Sequence, residues 1–167
     1  MNLFELYKIP ISFIPNKELV KKQYFLLSRK FHPDFVGNGT EDEQTEALEM
    51  SSMVNKAFKI FSNQDATIQY VLELKGLLES EEKYTLPNEF LMKMMELNES
   101  LMDAKMENNE TALAEIINKI SSIKADLYQS VSHVIESTEI AELNTSDFLK
   151  VKEYYFKKKY LNRILYY

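Results

Sequence analysis

The sequence contains no cysteine and no tryptophan, and only 3 glycines and 4 prolines among its 167 residues. Without Cys there can be no disulfide, no thiolate nucleophile and no zinc–thiolate site, which suits a reducing compartment. The 2 histidines, His32 and His133, are too few for a histidine metal cage. So little Gly and Pro provides scant turn material for a many-stranded sheet, whereas a few long helices need little. No apolar run approaches the roughly 18 residues of a membrane span. The opening MNLFELYKIP has neither a charged start followed by an apolar core nor the character of an Arg/Ser-rich amphipathic presequence. The expectation is a soluble, cytoplasmic, all-α protein with no cofactor and no bound metal.

Hydrophobic residues make up 45% of the chain, which argues against disorder. The length accommodates one domain or two small ones. The formal net charge is −6, but it is unevenly spread. Residues 1–40 carry six cations, Lys8, Lys17, Lys21, Lys22, Arg29 and Lys30, against three anions, Glu5, Glu18 and Asp34. The remainder is strongly acidic. A local basic patch on an acidic chain suggests an acidic protein partner and no nucleic acid, which would call for a dominant cationic surface.

Apolar spacing predicts a short helix over 2–8, then a helix from the N-cap Asn16 to Phe31. Val20, Tyr24, Leu27 and Phe31 share one face of the second helix, and Lys21, Lys22 and Arg29 lie on another. Pro33 stops it, since the residue before a proline is driven out of the α region. A loop, His32–Thr40, holds Gly37 and Gly39. A third helix over Glu41–Phe61 opens with three acids that suit the positive end of its dipole. Ala47, Met50, Val54, Ala57 and Phe61 form its stripe. A fourth, near Ala66–Leu77, carries Ile68, Val71 and Leu72. The charged LESEEKYT stretch then reads as a junction, which divides the chain into 1–78, 79–86 and 87–167.

The last part reads as an antiparallel three-helix bundle over Pro87–Glu107, Glu110–Ser137 and Ser146–Leu165. Ile116, Ile120, Ile123, Leu127, Val131 and Val134 form the seam of its middle helix. In its first helix Phe90, Met94, Leu97 and Leu101 make one narrow stripe. Leu91, Met92 and Met95 fall on another side, beside Glu96, Glu99 and Asp103. An apolar patch next to an acidic strip fits a partner site, where Met suits adaptable contacts. It also fits packing against the first domain or a wider core. Phe156 lies among Lys152, Lys159 and Arg163, either as a covered cap of the bundle or as a binding anchor. His133 carries no assigned role. Tyr154, Tyr155, Tyr160, Tyr166 and Tyr167 read as bundle packing and a fraying terminus.

His32-Pro33-Asp34 stands out. By itself it fits a helix stop followed by a turn in which Asp34 pairs with backbone amides. As a catalytic dyad it lacks a nearby nucleophile and a phosphate cradle. Its surroundings, a basic amphipathic helix before, a Gly-containing polar loop after, and Asn55-Lys56-Ala57-Phe58 in the next helix, resemble a J-domain, the module that activates DnaK-type chaperone ATPases. The resemblance implies an antiparallel helical finger with His32, Pro33 and Asp34 at its tip. It makes Lys21, Lys22, Arg29 and Lys30 the charges that dock on an acidic chaperone surface. Phe35 departs from the Lys common after the tripeptide, which shifts weight to the preceding helix.

The segments NLFELYKIP, FHPDF, MVNKAFKIFSNQDATIQYVLELKG and FLMKMMELNESL, in that order, resemble HscB-type co-chaperones of iron–sulfur cluster assembly. This implies an L-shaped molecule in which a J-domain is joined to a three-helix bundle. The bundle would deliver an IscU-like scaffold to an HscA-type chaperone, making the chain a regulator and not an enzyme. Its scaffold face would be Leu91, Met92, Met95, Glu96, Glu99, Asp103 and Phe156, with Met95 and Asp103 replacing the usual Leu and Glu. The paired CxxC zinc module of some relatives is expected to be absent, and no Cys is present to ligate a cluster. Two rivals remain: a J-domain adaptor for a different client, and a structural helical protein whose tripeptide is coincidental. Whether ATP turnover by a DnaK-type chaperone responds separates the second from the rest.

Overall fold

The computed structural model describes residues 1–166, the last of them by its backbone alone. The packing of Tyr166 and Tyr167 therefore lies outside the described residues. Every regular element among these is helical: α1 (Leu3–Tyr7), α2 (Lys17–Lys30), α3 (Pro33–Val36), α4 (Glu41–Phe61), α5 (Gln64–Leu74), α6 (Asn88–Met106), α7 (Glu110–Ile135) and α8 (Thr145–Tyr166). A 3₁₀ turn, Ile140–Glu142, precedes α8. No helix among the described residues is long and apolar enough to cross a membrane. Contacts divide the chain into two units, 1–74 with 136–142, and 75–135 with 143–167.

In the first unit α2 and α4 run antiparallel. Tyr24 of α2 stacks on Phe58 of α4 with ring centroids 4.2 Å apart, and its hydroxyl reaches Asn55. Of the stripe expected along α4, Ala47, Val54, Ala57 and Phe61 are buried, while Met50 is only half-buried. Around it close α1 and α5. Phe4 and Tyr7 both meet Phe61, at 4.7 and 5.3 Å between centroids, and Ile68, Val71 and Leu72 are fully covered. The Tyr7 hydroxyl, inside this core, donates to the Val54 carbonyl at 2.7 Å. A buried phenol without that acceptor would cost roughly 1–3 kcal/mol.

Helix ends follow local chemistry. The Asn16 side chain accepts from the Leu19 amide and starts α2. Thr40 and Glu43 form a reciprocal capping box that starts α4. The expected loop His32–Thr40 contains a turn of helix, α3: Pro33 ends α2 yet occupies the first turn of the next helix, where its fixed φ and missing N–H cost nothing.

In the second unit α6 and α8 each pack with α7 around Phe90, Met94, Leu97, Leu101, Ile120, Leu161 and Ile164. All four α6 residues expected in the buried stripe are there. The stretch 79–86, read as a junction, belongs to this unit instead. Leu86 enters the core and Tyr84 packs against it. Lys152 clamps Glu82 through both carboxylate oxygens at 3.0 and 2.8 Å. Periodicity missed this because Tyr84 and Leu86 sit in chain without regular secondary structure, where no helical spacing announces burial.

Burial, and secondarily the nearby Tyr24, pushes the Tyr7 phenol well above its ordinary value. The folded chain therefore keeps a proton that the unfolded chain releases near pH 10, and stability falls as pH rises through that point. Tyr7→Phe is expected to cost about 1 kcal/mol at neutral pH and to flatten the loss of stability above pH 10. Urea unfolding across an alkaline pH series measures both; an unchanged slope would contradict the assignment.

Candidate functional site

The tip between α2 and α4 is held by polar bonds more than by packing. The Gln44 side-chain amide donates to the carbonyls of Gly37 and Gly39, at 3.3 and 3.1 Å. Glu43 folds back on Thr40 so closely that a Cβ on Gly39 would meet its Oε2 at 2.7 Å and the Val36 carbonyl oxygen at 3.1 Å. A larger residue there would displace the Glu43 carboxylate from its cap and crowd the Val36 carbonyl. The Asp34 amide donates to His32 Nδ1 at 3.2 Å. The Asp34 carboxylate lies 3.6 Å from the same nitrogen. Its side chain is 87% exposed. His32, Pro33 and Asp34 together form an exposed triad on a pinned loop.

Lys21, Lys22, Arg29 and Lys30 are all exposed, and none has an ion-pair partner among the described residues. Lys30 lies over the Phe31 ring at 5.1 Å. Phe25, at 59% exposure, falls between Lys21 and Arg29 at successive four-residue steps, and Leu26 is exposed beside them. Both escaped the sequence reading, which treated this side as charge alone. The regular Lys21–Phe25–Arg29 spacing was the available signal. Phe35 is also exposed, its ring roughly perpendicular to that of His32.

The second candidate surface lies on α6. Met92, Met95, Glu96, Glu99 and Asp103 are exposed. Leu91 is not: it is half-buried against the bundle core, because it lies at the border between the buried stripe and the open side. Phe156 is likewise not a lone aromatic. It stacks on Tyr84 with centroids 4.6 Å apart and planes 2° from parallel, and meets Tyr155 edge-on. Of its basic neighbours, Lys152 is tied to Glu82, while Lys159 lies over the Tyr155 ring. Burial pushes the Tyr84 phenol up, helped by Glu153 and Glu82. Met102 and Met106, at 55% and 79% exposure, continue the open side of α6 and were missed. The seven-residue step from Met95 to Met102 would have found the first.

These placements separate packing from display. Phe156→Ala is expected to lower the unfolding free energy by about 2 kcal/mol, since a half-buried stacked ring is removed. Met92→Ala should stay within about 0.5 kcal/mol of wild type. Urea denaturation of the two variants compares them, and equal losses would contradict this division.

The model of the HSCB C-terminal oligomerisation domain matches residues 86–166. A co-chaperone protein HscB homolog of Neisseria gonorrhoeae is 31% identical over 126 residues, covering 75% of this chain and 76% of that protein. One from Photobacterium profundum is 28% identical, over 99% and 94% respectively. The crystal structure of human co-chaperone protein HscB superposes with a TM-score of 0.77 at 28% identity, over 98% of this chain and 78% of that one. Chaperone HscB from Vibrio cholerae shares the fold, with a TM-score of 0.71 at 24% identity and coverage of 98% and 92%. With its all-helical fold and these relatives along nearly its whole length, the chain belongs to the HscB co-chaperone family.

Proposed function

We propose that this chain is a J-domain co-chaperone of iron–sulfur cluster assembly. It holds an IscU-like scaffold protein on its bundle and presents it to a DnaK- or HscA-type ATPase in the cytoplasm. The observation that carries the reading is the exposed His32-Pro33-Asp34 tip, pinned by Gln44 and flanked by cations with no ion-pair partner among the described residues. Family membership supports it.

The roles follow from physical chemistry. Lys21, Lys22, Arg29 and Lys30 steer the finger onto an acidic surface, raising the association rate in a salt-sensitive way. Asp34 offers an open carboxylate for donors on the chaperone, and His32 offers an exposed imidazole. ATP is cleaved by the partner, so the chain regulates a reaction that it does not perform. Met92 and Met95 give the scaffold an adaptable apolar contact, while Glu96, Glu99 and Asp103 complement basic groups on it. Leu91 and Phe156 support that surface from the core side.

Asp34→Asn removes the charge and keeps the shape. It is expected to abolish stimulation of the chaperone's ATPase while leaving scaffold affinity within about twofold of wild type, because Asp34 belongs to the first unit and the residues given to the scaffold to the second. Steady-state phosphate release and calorimetry read the two effects. Stimulation at the wild-type level would overturn the role given to the tip.

A further inference from the structure

The open side of α6 is ordered in charge as well as in apolarity. At about 100° per residue, Met102, Met95 and Met106 run down its middle, all exposed. Glu99, Asp103 and Glu96 flank that row on one side. Lys105 flanks it on the other, toward α8, where a groove of about 410 Å³ opens between the two helices. Leu101, Met102, Tyr160 and Ile164 give the groove its apolar lining, and Lys105 and Arg163 are its charged members. Both cations are exposed, no acidic side chain lines the groove, and neither cation has an ion-pair partner among the described residues.

We infer that this groove seats an apolar side chain of the bound scaffold protein together with a neighbouring carboxylate. The inference rests on the scaffold-binding reading above and extends it to a second contact of opposite charge. Two facts select the occupant. Unneutralised cations over an apolar lining favour a group that is itself apolar and anionic. Met102 belongs both to the groove and to the row that contains Met95, so a protein lying along that row reaches the groove without a break. The methionine row thus separates an acidic margin from a basic one. A partner must bring basic groups to Glu96, Glu99 and Asp103 and an acidic group to Lys105 and Arg163. Turned end for end, it would set like charges against each other at both margins, which fixes its orientation.

The test uses the full chain labelled with ¹³C at the methionine methyl groups and titrated with the cognate IscU-like scaffold. The Met102 signal is expected to shift together with those of Met92 and Met95. Lys105→Glu/Arg163→Glu should weaken binding about tenfold, as the loss and reversal of two exposed charge contacts would. Lys105→Gln/Arg163→Gln should weaken it a few-fold and lessen its sensitivity to salt. Since both residues are exposed, unchanged circular dichroism and unfolding midpoints are expected. Shifts at Met92 and Met95 with Met102 silent, or wild-type affinity in the charge-reversed variant, would overturn the groove contact and leave the scaffold reading standing. No binding by the wild-type chain would overturn both.

Discussion

A side chain on an α-helix returns to the same side only every three or four residues, so each helix can bury one stripe and must display the rest. Both units depend on this. α4 buries Ala47, Val54, Ala57 and Phe61, half-buries Met50, Met53, Phe58 and Ile60, and leaves Leu48 exposed. α6 displays more: Phe90, Met94, Leu97 and Leu101 fill the stripe, and Met92, Met95, Met102 and Met106 remain outside, exposed. Four exposed methionines on one helix add unpaired apolar surface, which in water is favoured only where something covers it. The choice of methionine over leucine keeps such a surface adaptable.

The tip follows another logic. Little apolar burial is available at the end of a helical hairpin, and no residue of α3 is buried. Order there comes from directed polar bonds: Gln44 to two loop carbonyls, the Thr40–Glu43 capping box, and the Asp34 amide to His32. Each is an exposed bond of modest strength. Together they hold three side chains outward without enclosing them, as a surface read by a partner requires.

Much of this was legible in the sequence, and for identifiable reasons. Stripes spaced at three and four residues gave the helices of both units, and Asn16 marked its own helix start. The tripeptide and its basic neighbours were visible as residue types in order. Three features were not. Helix α3 was hidden because Pro33 signals both the stop of one helix and the start of another. The attachment of Tyr84 and Leu86 to the bundle was hidden because chain without regular structure buries residues without periodicity. The half-burial of Leu91 and the stacking of Phe156 on Tyr84 depend on tertiary neighbours that no local pattern encodes. Met102 and Met106 were within reach of periodicity but lie beyond the positions that the family resemblance supplied.

The central claim is that one exposed face of α6 holds the scaffold protein. Calorimetric titration of the full chain with its cognate IscU-like scaffold, for wild type and for Met92→Ser/Met95→Ser, tests it most directly. Both methionines are exposed, so the fold should be untouched by the exchange. The account predicts micromolar-range binding, with Kd on the order of 1–10 µM, weakened by more than tenfold in the double variant. Equal affinity for the two chains, or no binding by the wild type, would contradict it.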